Sequence, residues 1–360
     1  MRVAVDVMGG DHAPDAILKG AINALPHLDA DDRLVLVGPR PIIEDVLRER
    51  RVDDPRIEIE HASEAIGMDE SPVEAVKSKK DSSLVRMAVL GSNKAEKQGL
   101  KRADVVLSAG NTGACVSAAT MHMRRLPGVH RPGIAVTIPS VRGPLVICDV
   151  GANPEPRPLH LAQYAVMAEA YAQHVLGVKN PRVAQINIGS EEAKGTDMIK
   201  QVRDMLRAMP GVNYIGYVEG RDLLEGTADV IVSDGFVGNI MLKLAEGLAS
   251  SLYKAIFSEI FEHSPELGMQ LEPVAKALFK KHDYHEYGGA PLLGVNGVCV
   301  ICHGSSQAKT ITAAIRNAKQ TAASGMNQAI VERLAEVARV VEPGATPAGA
   351  VVGGAGRADA

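Results

Sequence analysis

Short aliphatic and β-branched runs alternate with helix-forming segments along most of the chain. Most runs are nearly continuous in Val, Ile and Leu, which is typical of strands covered on both faces in a largely parallel sheet. Strands are predicted at residues 2–8, 33–37, 57–61, 105–108, 133–138, 145–149, 182–188, 212–218, 230–233 and 298–301, and helices at 15–25, 112–123, 159–176 and 195–209. This alternation predicts a doubly wound, three-layer α/β/α sandwich. The strands near 133–149 are candidates for an antiparallel pair within the mostly parallel sheet.

Composition excludes several classes of protein. The 360 residues carry 39 Lys and Arg against 43 Asp and Glu, whereas a dedicated nucleic-acid binder usually has a clear basic excess. Four cysteines are too few for a disulfide scaffold, and no apolar run approaches the roughly 18 residues of a membrane-spanning helix. The first residues lack the apolar core of a signal peptide. We therefore expect a cytoplasmic globular protein.

The chain shows no internal repeat and no Pro/Ser-rich linker before its last residues. We predict one catalytic α/β domain over residues 1–342, with a helical hairpin inserted at about 239–287. Residues 343–360 are rich in Gly, Ala and Pro and almost uncharged, which predicts a disordered tail.

Six loops rich in Gly, Asn, Ser and Thr follow predicted strands, beginning at Gly9, Ser108, Asp149, Asn187, Ser233 and His303. In an open α/β sheet such loops line the ligand crevice, and free N–H groups at a helix start favour an anion. A tight turn needs glycine for structural reasons alone, but six such loops together favour an anion-binding crevice. None matches the dinucleotide or P-loop fingerprint, which disfavours a nucleotide-dependent enzyme.

Several longer motifs closely resemble those of the bacterial phosphate acyltransferase family of phospholipid synthesis. They are AVDVMGGDHAP (4–14), KKDSS (79–83), SAGNTGA (108–114), DVGAN (149–153), NIGSEEAKG (187–195), GFVGNIMLK (235–243), EYGGAPLLGVNG (286–297) and HGSS (303–306). The resemblance is collinear over roughly residues 1–325.

The resemblance implies transfer of a fatty acyl chain from acyl carrier protein to inorganic phosphate. A membrane glycerol-3-phosphate acyltransferase would then use the acyl phosphate. It also implies a homodimer associated peripherally with the inner face of the cell membrane. The implied fold is related to isocitrate and isopropylmalate dehydrogenases and to phosphotransacetylase. We expect no cofactor, no metal ion and no nucleic-acid partner.

The chemistry suggests roles for individual residues. Phosphate is itself a nucleophile, so catalysis needs positioning and hydrogen-bond donors for the developing oxyanion. The candidate catalytic residues are Asn111, Lys194 as the phosphate cation, and His303 as a donor to the carbonyl or the leaving thiolate. Each has a structural alternative: Asn111 could cap a helix, Lys194 could be a solvated lysine, and His303 could be a core histidine. Candidates for phosphate or substrate binding are Gly9, Gly10, Asp11, Ser108, Gly110, Thr112, Gly113, Asn153, Asn187, Gly189, Asp234, Gly235, Asn239, Ser305 and Ser306.

Three short patterns carry weaker signals. Lys79 and Lys80 form a basic pair that either is solvated or receives the acidic carrier protein. Cys299 to His303 matches the C-x-x-C-H haem attachment pattern, but it lies on an apolar strand, where buried, inert thiols are expected. His282 and His285 have no convincing partner ligands for a metal ion.

The segment 239–287 holds most of the aromatic residues. Ile240, Leu244, Leu248, Leu252, Ile256 and Ile260 recur every four residues and predict an apolar stripe on a long helix. This stripe packs in the core or in a dimer interface, or meets a membrane. At the far end of the hairpin, membrane contact is expected from Leu278, Phe279, Lys276, Lys280 and Lys281.

Two other classes of function are compatible with this fold. A decarboxylating dehydrogenase would need acidic metal ligands and a cofactor pocket, and would change NAD(P) absorbance. A non-catalytic membrane or carrier-protein scaffold would bind acyl carrier protein without consuming phosphate.

Overall fold

The computed structural model describes residues 1–281 and 287–341, which form an 11-stranded sheet flanked by helices. The strands are β1 (Arg2–Asp6), β2 (Arg33–Gly38), β3 (Ile57–His61), β4 (Val105–Ser108), β5 (Gly133–Ser140), β6 (Gly143–Cys148), β7 (Val183–Ile186), β8 (Tyr214–Val218), β9 (Val230–Val232), β10 (Ala290–Leu293) and β11 (Val298–Ile301). Their order in the sheet is β3-β2-β1-β4-β11-β10-β5-β6-β9-β7-β8.

Helices cover both faces of this sheet, and two further helices form a hairpin. They are α1 (Asp15–Ala24), α2 (Arg40–Glu49), α3 (Pro72–Ser78), α4 (Ser83–Leu90), α5 (Lys94–Lys97), α6 (Thr112–His122), α7 (Pro158–His174), α8 (Asp197–Ala208), α9 (Gly235–His263), α10 (Pro265–Lys281), α11 (Ala308–Ala323) and α12 (Met326–Val341). The central strands are buried on both faces, as their continuous aliphatic sequences predict. The predicted α/β/α class is therefore confirmed.

The sheet consists of two parallel sets that run in opposite directions. Strands β1, β2, β3, β4 and β11 are mutually parallel, as are β6, β7, β8 and β9. Between the sets, β10 and β5 are antiparallel to each other and to their outer neighbours β11 and β6. The antiparallel pair expected near 133–149 is confirmed as β5 and β6. Strand β10 was not predicted, because Pro291 interrupts a short segment that follows two glycines.

Helices α9 and α10 form the expected hairpin. At Gly268 of α10, a Cβ atom would lie 2.7 Å from the ring of Phe261, so glycine allows α10 to pack closely on α9. The apolar stripe on α9 is exposed, with Ile240, Leu244, Leu248, Leu252 and Ile256 each more than half accessible. The stripe therefore does not pack in the core of this chain. No helix in the described residues is long and apolar enough to cross a membrane.

Some predictions concern residues that the structure does not describe. Residues 276, 278, 279, 280 and 281 lie on α10, but their side chains are outside the described set. His282, His285 and the predicted tail at 343–360 lie outside the described residues altogether.

Candidate functional site

A cavity of about 230 Å³ lies beside the central antiparallel strands, where the two parallel sets meet. Thr112 follows β4, and His303 and Ser306 follow β11, so these three residues belong to the first set. Gly151 follows β6 and Asn239 lies on α9, so both belong to the second set. The other lining residues are Ile134, Val136, Thr137, Val150, Leu242, Lys243, Glu246, Tyr287, Gly288, Gly289, Ala290, Ile301, Cys302 and Thr310. We call this space the junction cavity.

Lys243 and His303 form a polar contact across the wall of the junction cavity. The Nζ atom of Lys243 contacts Nε2 of His303, and Glu246 Oε2 lies 3.7 Å from the same Nζ. On the other side of the imidazole, His303 Nδ1 lies 2.7 Å from Ser305 Oγ and 3.1 Å from the Ser305 backbone nitrogen. Helix α9 thus supplies a cation that touches the loop after β11.

Ser306 provides a buried hydroxyl without a partner. Its side chain is 1% exposed, and Oγ has no hydrogen-bond partner among the described residues. Buried polar groups in native proteins are nearly always hydrogen-bonded, so this hydroxyl lacks an acceptor or donor that a ligand would supply. Ser306 lines the junction cavity immediately before α11, and the Gln307 side chain makes no capping hydrogen bond. The N-terminal end of α11 therefore favours an anion here.

Asn111 is held by the protein itself. Its Oδ1 accepts from the Ala114 nitrogen at 3.0 Å, and its Nδ2 donates to the carbonyls of Met68 (2.9 Å) and Glu70 (3.1 Å). Both amide hydrogens are engaged, and the side chain is buried. In this arrangement Asn111 caps α6 and fixes the 68–70 loop rather than pointing a free donor at a substrate.

A buried carboxylate supports the loops after β1 and β4. Asp6 accepts from Ser108 Oγ at 2.7 Å and from the Met8 nitrogen at 3.2 Å. Burial raises the pKa of Asp6, although hydrogen bonds from Ser83, Ser108 and the backbone oppose the rise. A Cβ at Gly9 would lie 2.5 Å from Asp6 Oδ2, so glycine is needed for this close approach.

Asp149 is the buried carboxylate that supports the loops of the second set. Its carboxylate accepts from the backbone nitrogens of Ile134 (2.9 Å), Ala152 (3.1 Å) and Asn153 (2.7 Å), and burial raises its pKa. A Cβ at Gly238 would lie 2.0 Å from the Asp149 carbonyl oxygen, so α9 starts directly against this loop. Asp149 therefore positions both the Gly151 segment and the first turn of α9.

The structure brings some of the predicted residues together and not others. Thr112, Asn239, His303 and Ser306 line the junction cavity, and Ser305 contacts His303. Gly113 and Asn153 line a larger neighbouring groove, while Asp234 and Gly235 cap and pack the start of α9. Gly9, Gly10, Asp11, Ser108 and Gly110 form the supporting loops around Asp6 and Gly304.

The remaining predicted residues lie on the loop after β7. Asn187 Nδ2 donates to the Gly189 carbonyl at 3.1 Å, and Lys194 is exposed on the same loop. Four strands separate β7 from β11 in the sheet, which corresponds to about 24 Å at the usual strand spacing. Neither Asn187, Gly189 nor Lys194 is among the residues that line the junction cavity.

Sequence reasoning did not single out Lys243 or Glu246. Lys243 ends the motif GFVGNIMLK and lies four residues after Asn239, so the two share a face of α9. That spacing was the available signal. Lys243 lies in the third turn of α9 and not in a loop at a strand end, which is where anion-binding residues are expected in an α/β sheet.

The cysteines are buried and free, and the described residues include no group of three His, Cys, Asp or Glu that would hold a metal ion. Cys302 lines the junction cavity, but burial raises the pKa of its thiol to about 12. Cys115 and Cys299 have Sγ atoms 3.9 Å apart, and their contact together with burial raises the pKa of Cys115. Cys299 and Cys302 pack in different apolar clusters, so they do not form a vicinal redox pair.

Solved structures of related architecture include two acyltransferring enzymes. A phosphotransacetylase from Streptococcus pyogenes superposes with a TM-score of 0.60 at 17% identity, covering 89% of this chain and 94% of that one. A branched-chain phosphotransacylase from Enterococcus faecalis gives 0.55 at 14% identity, covering 90% and 99%. At this identity the similarity shows the fold, and it confirms the predicted relation to phosphotransacetylase.

Sequence comparison gives the family. The family model described as fatty acid synthesis protein matches residues 1–329. A phosphate acyltransferase from Heliobacterium modesticaldum is 46% identical over 337 residues, covering 93% of this chain and 98% of the relative. One from Dictyoglomus turgidum is 42% identical over 340 residues, covering 94% and 98%. The resemblance found in the motifs is thus confirmed, and the chain belongs to the phosphate acyltransferase family.

Proposed function

We propose that this chain transfers an acyl group from acyl carrier protein to inorganic phosphate, and that the reaction takes place in the junction cavity. The observation that carries this location is the unpartnered Ser306 hydroxyl at the start of α11, facing a space that Lys243 also lines. A hydroxyl donor, a helix N-terminus and an ammonium group together suit a phosphate dianion. The product, an acyl phosphate, would serve glycerol 3-phosphate acylation in phospholipid synthesis.

In the proposed reaction, an oxygen of bound phosphate attacks the thioester carbonyl carbon. The C–S bond then breaks, the acyl group stays on the phosphate oxygen, and the carrier leaves as a thiolate. A thiol with a pKa of about 8.5 is a good leaving group, so a strong general acid is unnecessary. The main tasks of the protein are to hold the phosphate oxygen close to the thioester carbonyl carbon in the correct orientation and to stabilise the tetrahedral oxyanion.

Individual side chains fit these tasks. Lys243 and Ser306 would hold the phosphate, and Asn239 on the same face of α9 as Lys243 would donate to the oxyanion. His303, fixed between Lys243 and Ser305, would position the ammonium group of Lys243. Asp6, Asn111 and Asp149 position the surrounding loops through their backbone contacts.

The direct test is trapping of the product. Purified protein is incubated with acyl-acyl carrier protein and phosphate, and acyl phosphate is converted by hydroxylamine to a hydroxamate. We expect hydroxamate only when phosphate is present, without nucleotide or added metal. Equal release of free carrier in phosphate-free buffer would contradict the proposal and would favour a thioesterase.

We also propose that two copies pair along the exposed stripe of α9, and that the end of the hairpin contacts anionic membrane. Five consecutive stripe positions are more than half exposed, and no charged residue interrupts that row. Exposed apolar patches of this kind commonly mark interfaces. Lysines beside Leu278 and Phe279 in the sequence suit anionic headgroups.

Two variants separate pairing from membrane contact. Leu248→Glu places a charge on an exposed position, so the chain should fold but sediment as a monomer. Leu278→Glu with Phe279→Glu should remain a dimer and lose flotation with anionic vesicles. A Leu248→Glu dimer would exclude pairing through the stripe, and unchanged flotation of the double variant would exclude the hairpin as anchor.

A further inference from the structure

A large basic groove opens beside the junction cavity. Its volume is about 1400 Å³, and no Asp or Glu is among its lining residues. It is lined by Pro72, Gly113, Val116, Ser117, Thr120, Met121, Arg124, Arg125, Leu126, Gly128, Val129, His130, Arg131, Pro132, Gly151, Ala152, Asn153, Arg157, Pro158, Leu159, His160, Gln201 and Met205. We call it the arginine groove. Four arginines concentrate positive charge on one face of a chain whose formal net charge is −4.

No carboxylate in the described residues neutralises these arginines. Arg124, Arg125, Arg131 and Arg157 are all exposed, and none forms an ion pair within the described residues. Burial lowers the pKa of His160 at the groove wall, and the positive charges of Arg157 and Arg131 lower it further. The groove therefore has a net positive field that an anionic partner would balance.

The groove wall is held in place by its own hydrogen bonds. Gln163 Oε1 accepts from the His130 nitrogen at 2.9 Å, and its Nε2 donates to the Gly128 carbonyl at 2.8 Å. Arg125 donates to the His130 carbonyl, and the rings of His130 and His160 stack with centroids 6.4 Å apart. The segment with the arginines is thus shaped before any partner binds, which lowers the entropic cost of binding.

The groove borders the junction cavity. Gly151 lines both spaces, and the neighbouring residues Thr112 and Gly113 line the cavity and the groove respectively. Aliphatic and thioether side chains, including Val116, Met121 and Met205, form apolar parts of the wall. The groove thus offers apolar and cationic contacts next to the cavity.

We propose that the arginine groove is the docking surface for the acyl donor, in which the acidic face of a carrier protein and the phosphodiester of its pantetheine arm meet the arginines and the thioester enters the junction cavity. This inference rests on the proposed function. The other basic candidate, Lys79 with Lys80, is less suitable. Lys79 Nζ already contacts Glu70 Oε1 at 2.6 Å and the Ala65 carbonyl at 2.9 Å.

The experiment reverses charge at Arg124 and Arg131, whose side chains make no hydrogen bond within the described residues. The double variant Arg124→Glu/Arg131→Glu is compared with Lys80→Glu. Two acyl donors are used, acyl-acyl carrier protein and a small uncharged thioester, an acyl-N-acetylcysteamine. For the double variant, KM for the carrier-bound donor should rise about tenfold or more, because reversed charges repel an acidic partner. Turnover of the small thioester and KM for phosphate should not change.

The control and the salt dependence make the outcome specific. Lys80→Glu should leave KM for the carrier-bound donor near the wild-type value. Of the two donors, only the carrier-bound one should show a higher KM as the ionic strength rises. An unchanged carrier KM in the double variant overturns the proposal. Equal loss with both donors, or a changed oligomeric state, also overturns it, because either result assigns the arginines to structure or to contact between copies.

Carrier binding is also titrated directly by fluorescence anisotropy, with no reaction required. If the wild-type protein makes no acyl phosphate from either donor, the proposed function is wrong. The titration still shows whether the carrier protein binds in the arginine groove. Tight binding that the double variant loses supports docking. Equal binding by both proteins contradicts it.

Discussion

The Nζ atom of Lys243 contacts Nε2 of His303, which joins the helix after β9 to the loop after β11. The two residues belong to strand sets that run in opposite directions. The junction cavity therefore depends on both sets, and neither half of the sheet forms it alone.

Lys243→Met removes the ammonium group and keeps most of the side-chain length. We expect kcat to fall about 100-fold, because a preorganised donor at a site of developing charge typically contributes two to three orders of magnitude. Lys254→Met, on the same helix and exposed, is the matched control and should retain wild-type activity. The measurement is the steady-state rate of hydroxamate formation. Loss of activity in Lys194→Ala with full activity in Lys243→Met would instead place the phosphate on the loop after β7.

Ser306→Ala should change activity and stability in opposite directions. Its buried hydroxyl has no hydrogen-bond partner in the part of the chain that the structure describes, so removing it should raise the free energy of unfolding by about 1 kcal/mol. KM for phosphate should increase about tenfold if the hydroxyl binds phosphate. Ser108→Ala is the contrast, since its hydroxyl donates to Asp6 at 2.7 Å and its loss should reduce stability. Urea unfolding and phosphate titration measure both effects, and an unchanged phosphate KM in Ser306→Ala would remove this residue from the site.

Cys302→Ser should retain most activity even though Cys302 lines the junction cavity. With a thiol pKa of about 12, almost none of the residue is thiolate at neutral pH, so it is a poor nucleophile. Iodoacetamide at pH 8 should likewise leave the folded enzyme active. A labelled acyl thioester on the wild-type protein that is absent from Cys302→Ser would refute this account.

Asp54→Asn should lower stability in a pH-dependent manner. Arg56 binds both carboxylate oxygens of Asp54 and reaches the carbonyls of Leu25 and Leu28, and this hydrogen bonding lowers the pKa of Asp54 to about 2. Because the folded-state pKa lies below the unfolded value, the stabilisation is present above about pH 4 and is lost as the pH falls through about 2. We expect a loss of about 1–2 kcal/mol at pH 7 and almost none near pH 2.

Urea unfolding at both pH values measures the difference. Asp45→Asn, from the exposed pair with Arg48, is the control and should change little at either pH. The same loss at pH 7 and pH 2 in Asp54→Asn would show that ionisation is not the cause.

The local hydrophobic pattern predicted the strands well, because a run of aliphatic residues is typical of a strand that is buried on both faces, whatever its neighbours in the sheet. The same pattern makes His303 and Ser306 candidates for the site, since both follow a strand closely. The position of β7 in the sheet, beyond β6 and β9, is not encoded in any one segment, so sequence alone does not separate the loop of Lys194 from the loops that line the junction cavity. The contacts of Asn111 with the carbonyls of Met68 and Glu70 do not follow from the local pattern, because these residues are distant in sequence.

The central claim is that bound phosphate attacks the thioester directly in the junction cavity. The most direct test is the pattern of initial rates with acyl-acyl carrier protein and phosphate varied together. Direct attack requires both substrates on the enzyme, so double-reciprocal plots should give intersecting lines. Parallel lines, with carrier released before phosphate binds, would indicate a covalent acyl-enzyme and would contradict the account.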